Sequence, residues 1–209
     1  MSDRLDVANV KINQVFQTEI DDASADKLCL WMSNVLISWS ILRVLARLAG
    51  KPMPAPLTLD DFNRLNDLSI KNGALAKLTD GDSKDGFVTN HEKCAEAVGL
   101  TGYKKEYVRF SKDKKGNVEV TPVLNLLSWG SIVELRDEGK HSLVATGWYK
   151  ADGKFYLEVR DPWPKTNDTR FDCARGMTQR FEKGKWVDSR SIEFYGWFYR
   201  IGSSPKWVV

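Results

Sequence analysis

The sequence predicts an α+β protein, from three observations. Residues 28 to 100 carry helix-spaced apolar runs with capping signals, and from about residue 105 the texture changes to alternating β-branched and aromatic residues. Helices therefore come first and strands second. The third observation is size: 209 residues, 42% of them hydrophobic, with eight Trp, nine Phe and six Tyr, suffice for one full core and are too few for two large ones. The expectation is a single domain with a helical lobe over about residues 22–100 and a sheet lobe over about 104–209.

The longest apolar run, DKLCLWMSNVLISWSILRVLARLAG, has no proline or internal glycine before Gly50, a residue type common just past a helix end. Leu28, Val35, Trp39 and Leu42 mark one side and Leu30, Ile37, Ile41 and Leu48 another, so this helix belongs in the interior. Its apolar segment is shorter than the roughly 18 residues a spanning helix needs and runs into Arg43 and Arg47, so no membrane span is expected. Asp26 stands where an N-cap would. KPMPAPLT cannot continue a helix. Thr58 with Asp61, followed by Phe62, Leu65, Leu68 and Ile70, reads as a capped second helix. KLTDGDSKDGFV reads as loop. Thr89 with Glu92 starts a third helix through Cys94, Ala97 and Val98 to Gly99. EYVRFS, NVEVTPV, SIVELRD, HSLVATGWYK, KFYLEVRD, MTQRFEKGKWV and SIEFYGWFYRI read as strands, with turns at Lys115-Gly116-Asn117 and Asp152-Gly153.

Charge narrows the function classes. Thirty-one basic residues against 28 acidic ones, interspersed, give a net charge of +3 and no signal for a nucleic-acid partner. The basic run KKEYVRFSKDKKGN gathers around a hairpin turn and reads as a solvated sheet edge. Three cysteines do not form a disulfide framework. The opening MSDRLDVANVKINQ lacks an apolar h-region, so cytoplasmic residence is the default expectation, and leaderless export would leave the same pattern. Nothing in the residues speaks to oligomeric state.

Three residues carry the candidate chemistry. Cys29 stands in the opening turn of the central helix, where free amides and the positive dipole end favour a thiolate, the nucleophilic form. His141 opens the strand HSLVATGWYK, and the partner strand KFYLEVRD delivers Asp161, after which Pro162 stops the ladder. Pairing parity decides whether the two meet. A loop with an odd residue count around Ala151-Asp152-Gly153 puts His141 opposite Trp163 and on the face of Asp161, whereas an even loop turns Asp161 to the other face unless the strand has already ended. On one face, the carboxylate can hold one imidazole nitrogen and leave the other for a thiol. A metal site joining His91 and Cys94 with Cys29 and Cys173 lacks the paired C-x-x-C spacings of zinc sites. On that helix His91 is expected exposed and Cys94 packed.

This order, with a cysteine at a central helix, a helical lobe and then a sheet carrying a histidine and an acid, resembles the papain-like cysteine peptidases, in particular the bacterial C39 peptidases and their C39-like relatives. G-K-H-S-L-V-A-T-G-W at 139–148 and V-R-D-P-W at 159–163 carry the resemblance most specifically. It implies a papain-like fold in which Cys29 attacks a carbonyl, His141 is the general base and Asp161 orients it, with no cofactor and a peptide or protein substrate. The family's oxyanion glutamine stands about six residues before the cysteine, but position 23 here is alanine, and Leu30 and Trp31 follow Cys29 directly. Gln17 is the expected substitute, with Gln14 a weaker choice. Three readings follow: a thiol hydrolase, compatible with a delivered effector; a non-catalytic binding protein on the same fold; and a transglutaminase-like acyl transferase.

Overall fold

The computed structural model describes residues 4–6, 15–20, 28–75, 90–138, 141–163 and 168–202. Asp26, Gln14, Thr89 and the KLTDGDSKDGFV segment lie outside the described residues. The architecture is mixed helix and antiparallel sheet, the α+β class that the sequence predicts.

Helix α1, Cys29–Leu48, is buried along most of its length, with Trp31, Val35, Ile37 and Ile41 inaccessible or nearly so. It is long and apolar enough to cross a membrane, but 78% of its apolar window is covered by the rest of the domain, and an apolar circumference of this kind is what a central core helix needs. Leu28 occupies its N-cap position and makes no side-chain capping bond. Helix α2, Leu59–Lys71, is capped as expected: the Thr58 hydroxyl accepts from the Asp61 amide at 3.2 Å, and the Asp61 carboxylate accepts from the Thr58 amide at 3.0 Å. Helix α3, His91–Val98, ends at Gly99, whose φ of 100° suits glycine. Its N-cap is Asn90, which accepts from the Lys93 amide at 2.9 Å, and not the expected Thr89.

Nine strands form one sheet among the described residues: β1 (Arg4–Asp6), β2 (Tyr103–Arg109), β3 (Val133–Arg136), β4 (Ser142–Ala151), β5 (Lys154–Arg160), β6 (Arg170–Asp172), β7 (Met177–Glu182), β8 (Lys185–Ser191) and β9 (Phe194–Arg200). The order is β2-β9-β3-β4-β5-β6-β7-β8, with β1 pairing the distal half of β4. The α1 face gathers Ile132, Val144 and Phe198 against α1, α2 and α3. On the opposite face Val133, Leu135, Leu143, Ala145, Leu157 and Val159 pack against Val123, Leu126 and Leu127.

Those last three belong to a helix where the sequence predicts strand. NVEVTPV does not continue as β-structure: Thr121–Trp129 forms α4, with Pro122 in its first turn and Gly130 (φ 103°) just past its end. The spacing of Val123, Leu126 and Leu127, at i, i+3 and i+4, is the helical signal that the alternation of Val118 and Val120 obscures. A second correction concerns Lys105. Strand β2 is an edge strand, yet the Lys105 side chain is fully buried on the α1 face and pairs with Glu134, so this part of the basic run is not a solvated edge.

Candidate active site

Cys29 is the first residue of α1, partly exposed and free of any disulfide. Ser33, one turn on, donates its hydroxyl to the Cys29 carbonyl at 2.9 Å. The Ser33 hydroxyl in turn meets the Ser142 hydroxyl at 2.9 Å, and Ser142 Oγ lies 2.7 Å from Glu134 Oε1. Hydroxyls thus tie the opening turn of α1 to the start of β4, where His141 stands.

The β4–β5 hairpin places His141 and Asp161 by a route the sequence did not reveal. Ala151 pairs with Lys154, leaving a two-residue turn, Asp152 (φ 50°) and Gly153 (φ 73°), of the left-handed kind that suits the twist of a hairpin. This loop is even, contrary to the odd count that the same-face arrangement required. The register instead shifts between Ala145 and Gly147, where Thr146 forms a β-bulge. Before the bulge Gly147 faces Glu158; after it Ala145 faces Val159 and Val144 faces Arg160. Continued to the strand ends, this register sets Leu143 against Asp161 and His141 against Trp163. The bulge supplies the odd residue that the turn lacks.

His141 Nε2 donates to Asp161 Oδ1 at 2.7 Å, and both side chains are nearly inaccessible to solvent. The Cys29 sulfur lies close enough to the same ring to help raise its pKa, and Nδ1 is the nitrogen that Asp161 leaves to face it. Burial pulls the imidazole pKa down, but the hydrogen bonds and charges of Asp161 and Cys29 outweigh it and push the ring up to about 9. At neutral pH the ring carries a positive charge between a carboxylate and a sulfur. Asp161 is itself held: Oδ1 also accepts from the Trp163 amide at 2.9 Å, and Oδ2 from the Asp168 amide at 3.3 Å.

Around this trio stands a layer that sequence reasoning missed. The His141 amide donates to Asp137 Oδ1 at 2.7 Å, fixing the backbone that carries the ring. Arg190 lies 3.6 Å from Asp137 Oδ2 and 4.0 Å from Asp168 Oδ2, so one guanidinium bridges the anchor of the base and the neighbour of the acid. The Thr178 hydroxyl donates to Asp168 Oδ2 at 2.6 Å. Burial holds the Asp168 carboxyl above the usual carboxylate range. Arg190 and Asp168 sit in ordinary polar strand contexts, and no local pattern marks them.

Gln17 opens a short 3-10 turn, Gln17–Glu19, and its amide donates to the Pro162 carbonyl at 3.0 Å. The structure therefore brings Gln17 to the Asp161 end of the site. Its side chain is buried, and Oε1 has no hydrogen-bond partner among the described residues. Compared with protein-family models and with curated proteins, this chain matches none.

The other cysteines and histidine lie apart from this trio. Cys94 and Cys173 are buried thiols whose pKa values desolvation pushes up to about 12, which makes them poor nucleophiles. His91 is packed, not exposed as expected: Nδ1 meets Asn34 Nδ2 at 3.0 Å, the ring stands edge-on to Tyr107 at 5.7 Å, and burial together with Lys105 pulls its pKa down to about 4. Among the described residues no three His, Cys, Asp or Glu side chains cluster as metal ligands.

Beneath the site the α1 face holds a buried ionic cluster. The Lys105 ammonium donates to Glu134 Oε2 and to Asn34 Oδ1, and the Tyr107 hydroxyl donates to Glu134 Oε2 at 2.9 Å. Burial lowers the Lys105 pKa, opposed by Glu134. Through Asn34 of α1, Glu134 of β3 and Lys105 of β2, this cluster fixes the helix against the sheet where the hydroxyl chain from Cys29 ends. A partly exposed thiol, a charged imidazole and a buried orienting carboxylate can together form and break an acyl–sulfur bond.

Proposed function

We propose that the protein is a papain-like thiol hydrolase that cleaves a peptide or isopeptide amide through an acyl-enzyme on Cys29. The observation that carries this reading is the chain from the Cys29 sulfur through the His141 ring to the buried Asp161 carboxylate. The Cys29 sulfur adds to the scissile carbonyl carbon, and as the C–N bond breaks the imidazolium gives its proton to the leaving amine. Neutral His141 then takes a proton from water as its oxygen attacks the thioester, releasing the acid and restoring the thiolate pair. Asp161 holds Nε2–H and so keeps the ring aimed at sulfur. The Cys29 amide, which as a first-turn amide of α1 has no intrahelical acceptor, and the Gln17 carboxamide are the proposed oxyanion donors. The protein needs no cofactor for these steps.

A non-catalytic role for the fold predicts a sulfur held away from the imidazole, and the nearness of Cys29 to the ring, felt in the raised His141 pKa, weighs against it. The test compares the intact protein with Cys29→Ala in a mixed-peptide hydrolysis assay and follows iodoacetamide labelling of each cysteine by mass spectrometry. Cys29 is expected to label at least tenfold faster than a free thiol at pH 7, and any turnover to vanish in Cys29→Ala. Labelling at the free-thiol rate with no amide turned over sinks the hydrolase reading.

A further inference from the structure

The row of side chains that holds Ser142 continues across the sheet. Ser142 pairs with Arg136, Arg136 with Phe194, and Phe194 with Arg109, so these four share the α1 face. The helices leave one end of that face open. There Tyr107, Arg109, Arg136, Glu138 and Phe194 line a groove of about 470 Å³. Its place relative to the thiol follows from the hydroxyl chain: Ser142 meets Ser33, one helical turn from Cys29. With neighbouring strands about 5 Å apart, the Arg136 head lies on the order of 10 Å from the sulfur, the span of about three extended residues.

The two arginines of the groove differ. Arg109 is ion-paired with Glu193 and stands 3.8 Å from Glu138, its guanidinium 5.1 Å above the Phe194 ring. Arg136 stacks 5.2 Å above the Tyr107 ring, and among the described residues no carboxylate lies within ion-pairing distance of it. A half-buried guanidinium, oriented by a ring and lacking a counter-ion, has donors free for a planar anion.

We propose that this groove is a carboxylate-binding subsite, in which Arg136 receives a carboxylate of a peptide substrate two or three residues from the scissile amide. Phe194 and Tyr107 supply the ring surface beside it. The assignment of the occupant as substrate rests on the thiol-hydrolase reading; the binding itself does not, and the test keeps the two apart.

Cys29→Ala protein, which cannot turn substrate over, is titrated with N-acetyl pentapeptides carrying Glu or Gln at each position in turn, each with a free or amidated C-terminus. At low ionic strength at least one acidic peptide is expected to bind tenfold or more tightly than its neutral isostere. Arg136→Gln is expected to abolish that preference and Arg136→Lys to keep part of it. Loss on Glu→Gln exchange identifies a side-chain carboxylate, and loss on amidation the chain terminus. Equal affinity for acidic and neutral peptides, a preference that survives Arg136→Gln, or no binding by any peptide overturns the subsite. Selective binding to Cys29→Ala with no turnover by the intact protein leaves the subsite standing and removes the hydrolase.

Discussion

At the scale of single residues, His141 concentrates the electrostatics of the site. Its folded pKa of about 9 exceeds the ordinary histidine value of 6.5, so the folded state binds the proton more tightly than the unfolded chain. The stability this contributes is present in full below pH 6.5 and is lost as pH rises through 9. Asp161→Asn removes the partner whose hydrogen bond most raises the ring. Urea midpoints at pH 6.5 and 9.5 are therefore expected to differ clearly in the wild type and much less in Asp161→Asn; equal slopes would show that Asp161 does not hold the proton. His141 and Asp161 were legible as candidates because each interrupts an apolar strand at its end. Arg190 and Asp168 were not, because their roles exist only through strands that come together from distant parts of the chain.

Elements carry the next layer, and here the hairpin and the buried cluster make separate predictions. Deleting Thr146 removes the bulge but joins Ala145 directly to Gly147, so the straight ladder still sets Leu143 against Asp161, whereas deleting Ala145 together with Thr146 sets Asp161 against Ser142, on the other face from His141. The single deletion is therefore expected to keep the raised histidine pKa and the double deletion to lose it, measured by NMR titration with His141→Gln as the assignment control; a ring still titrating near 9 in the double deletion would mean that the register does not set the pair. The sequence could not show this bulge, because Thr146 is an ordinary strand former and nothing in HSLVATGWYK marks an extra residue. Helix α4 escaped for a related reason, since two alternating valines ahead of Thr121-Pro122 imitate a strand. The Lys105–Glu134 pair gives the third element-scale expectation. Lys105→Met leaves a buried carboxylate without its cation and should cost about 3 to 5 kcal/mol in urea unfolding, with Lys105→Met/Glu134→Gln recovering most of it. If the double variant is no more stable than the single, the cost lies in packing and not in the stranded charge. A lysine in an edge strand reads as solvated from sequence alone, because the acid that draws it inward is 29 residues away.

For the whole molecule, one sheet serves two apolar clusters, with α1, α2 and α3 on one face and α4 on the other. Strand β4 contributes Val144 to the first and Leu143 and Ala145 to the second, so neither cluster can melt without disturbing a strand that the other needs. Cys94 reports on the first face and Cys173 on the second, both buried as free thiols. Pulse labelling across a urea series is expected to expose the two at one midpoint, and a separation beyond about 0.5 M would reveal two independently unfolding halves. Class and order of elements were readable at this scale because helix-spaced and alternating runs occupy different halves of the chain. The relation of Gln17 to the acid was not, since it depends on a backbone bond between residues 145 positions apart, Gln17 and Pro162.

The bulge at Thr146 also says where the instruction for the site is stored. Covalent continuity through Asp152-Gly153 brings β4 and β5 together, but the alignment of their far ends is written in the ladder and its one surplus residue. A chain cut between Asp152 and Gly153 would still carry the whole instruction, divided between two fragments that recognise each other by pairing. The turn can thus be nicked, lengthened by grafting or exchanged while histidine and carboxylate keep their appointment, whereas losing Ala145 together with Thr146 breaks it.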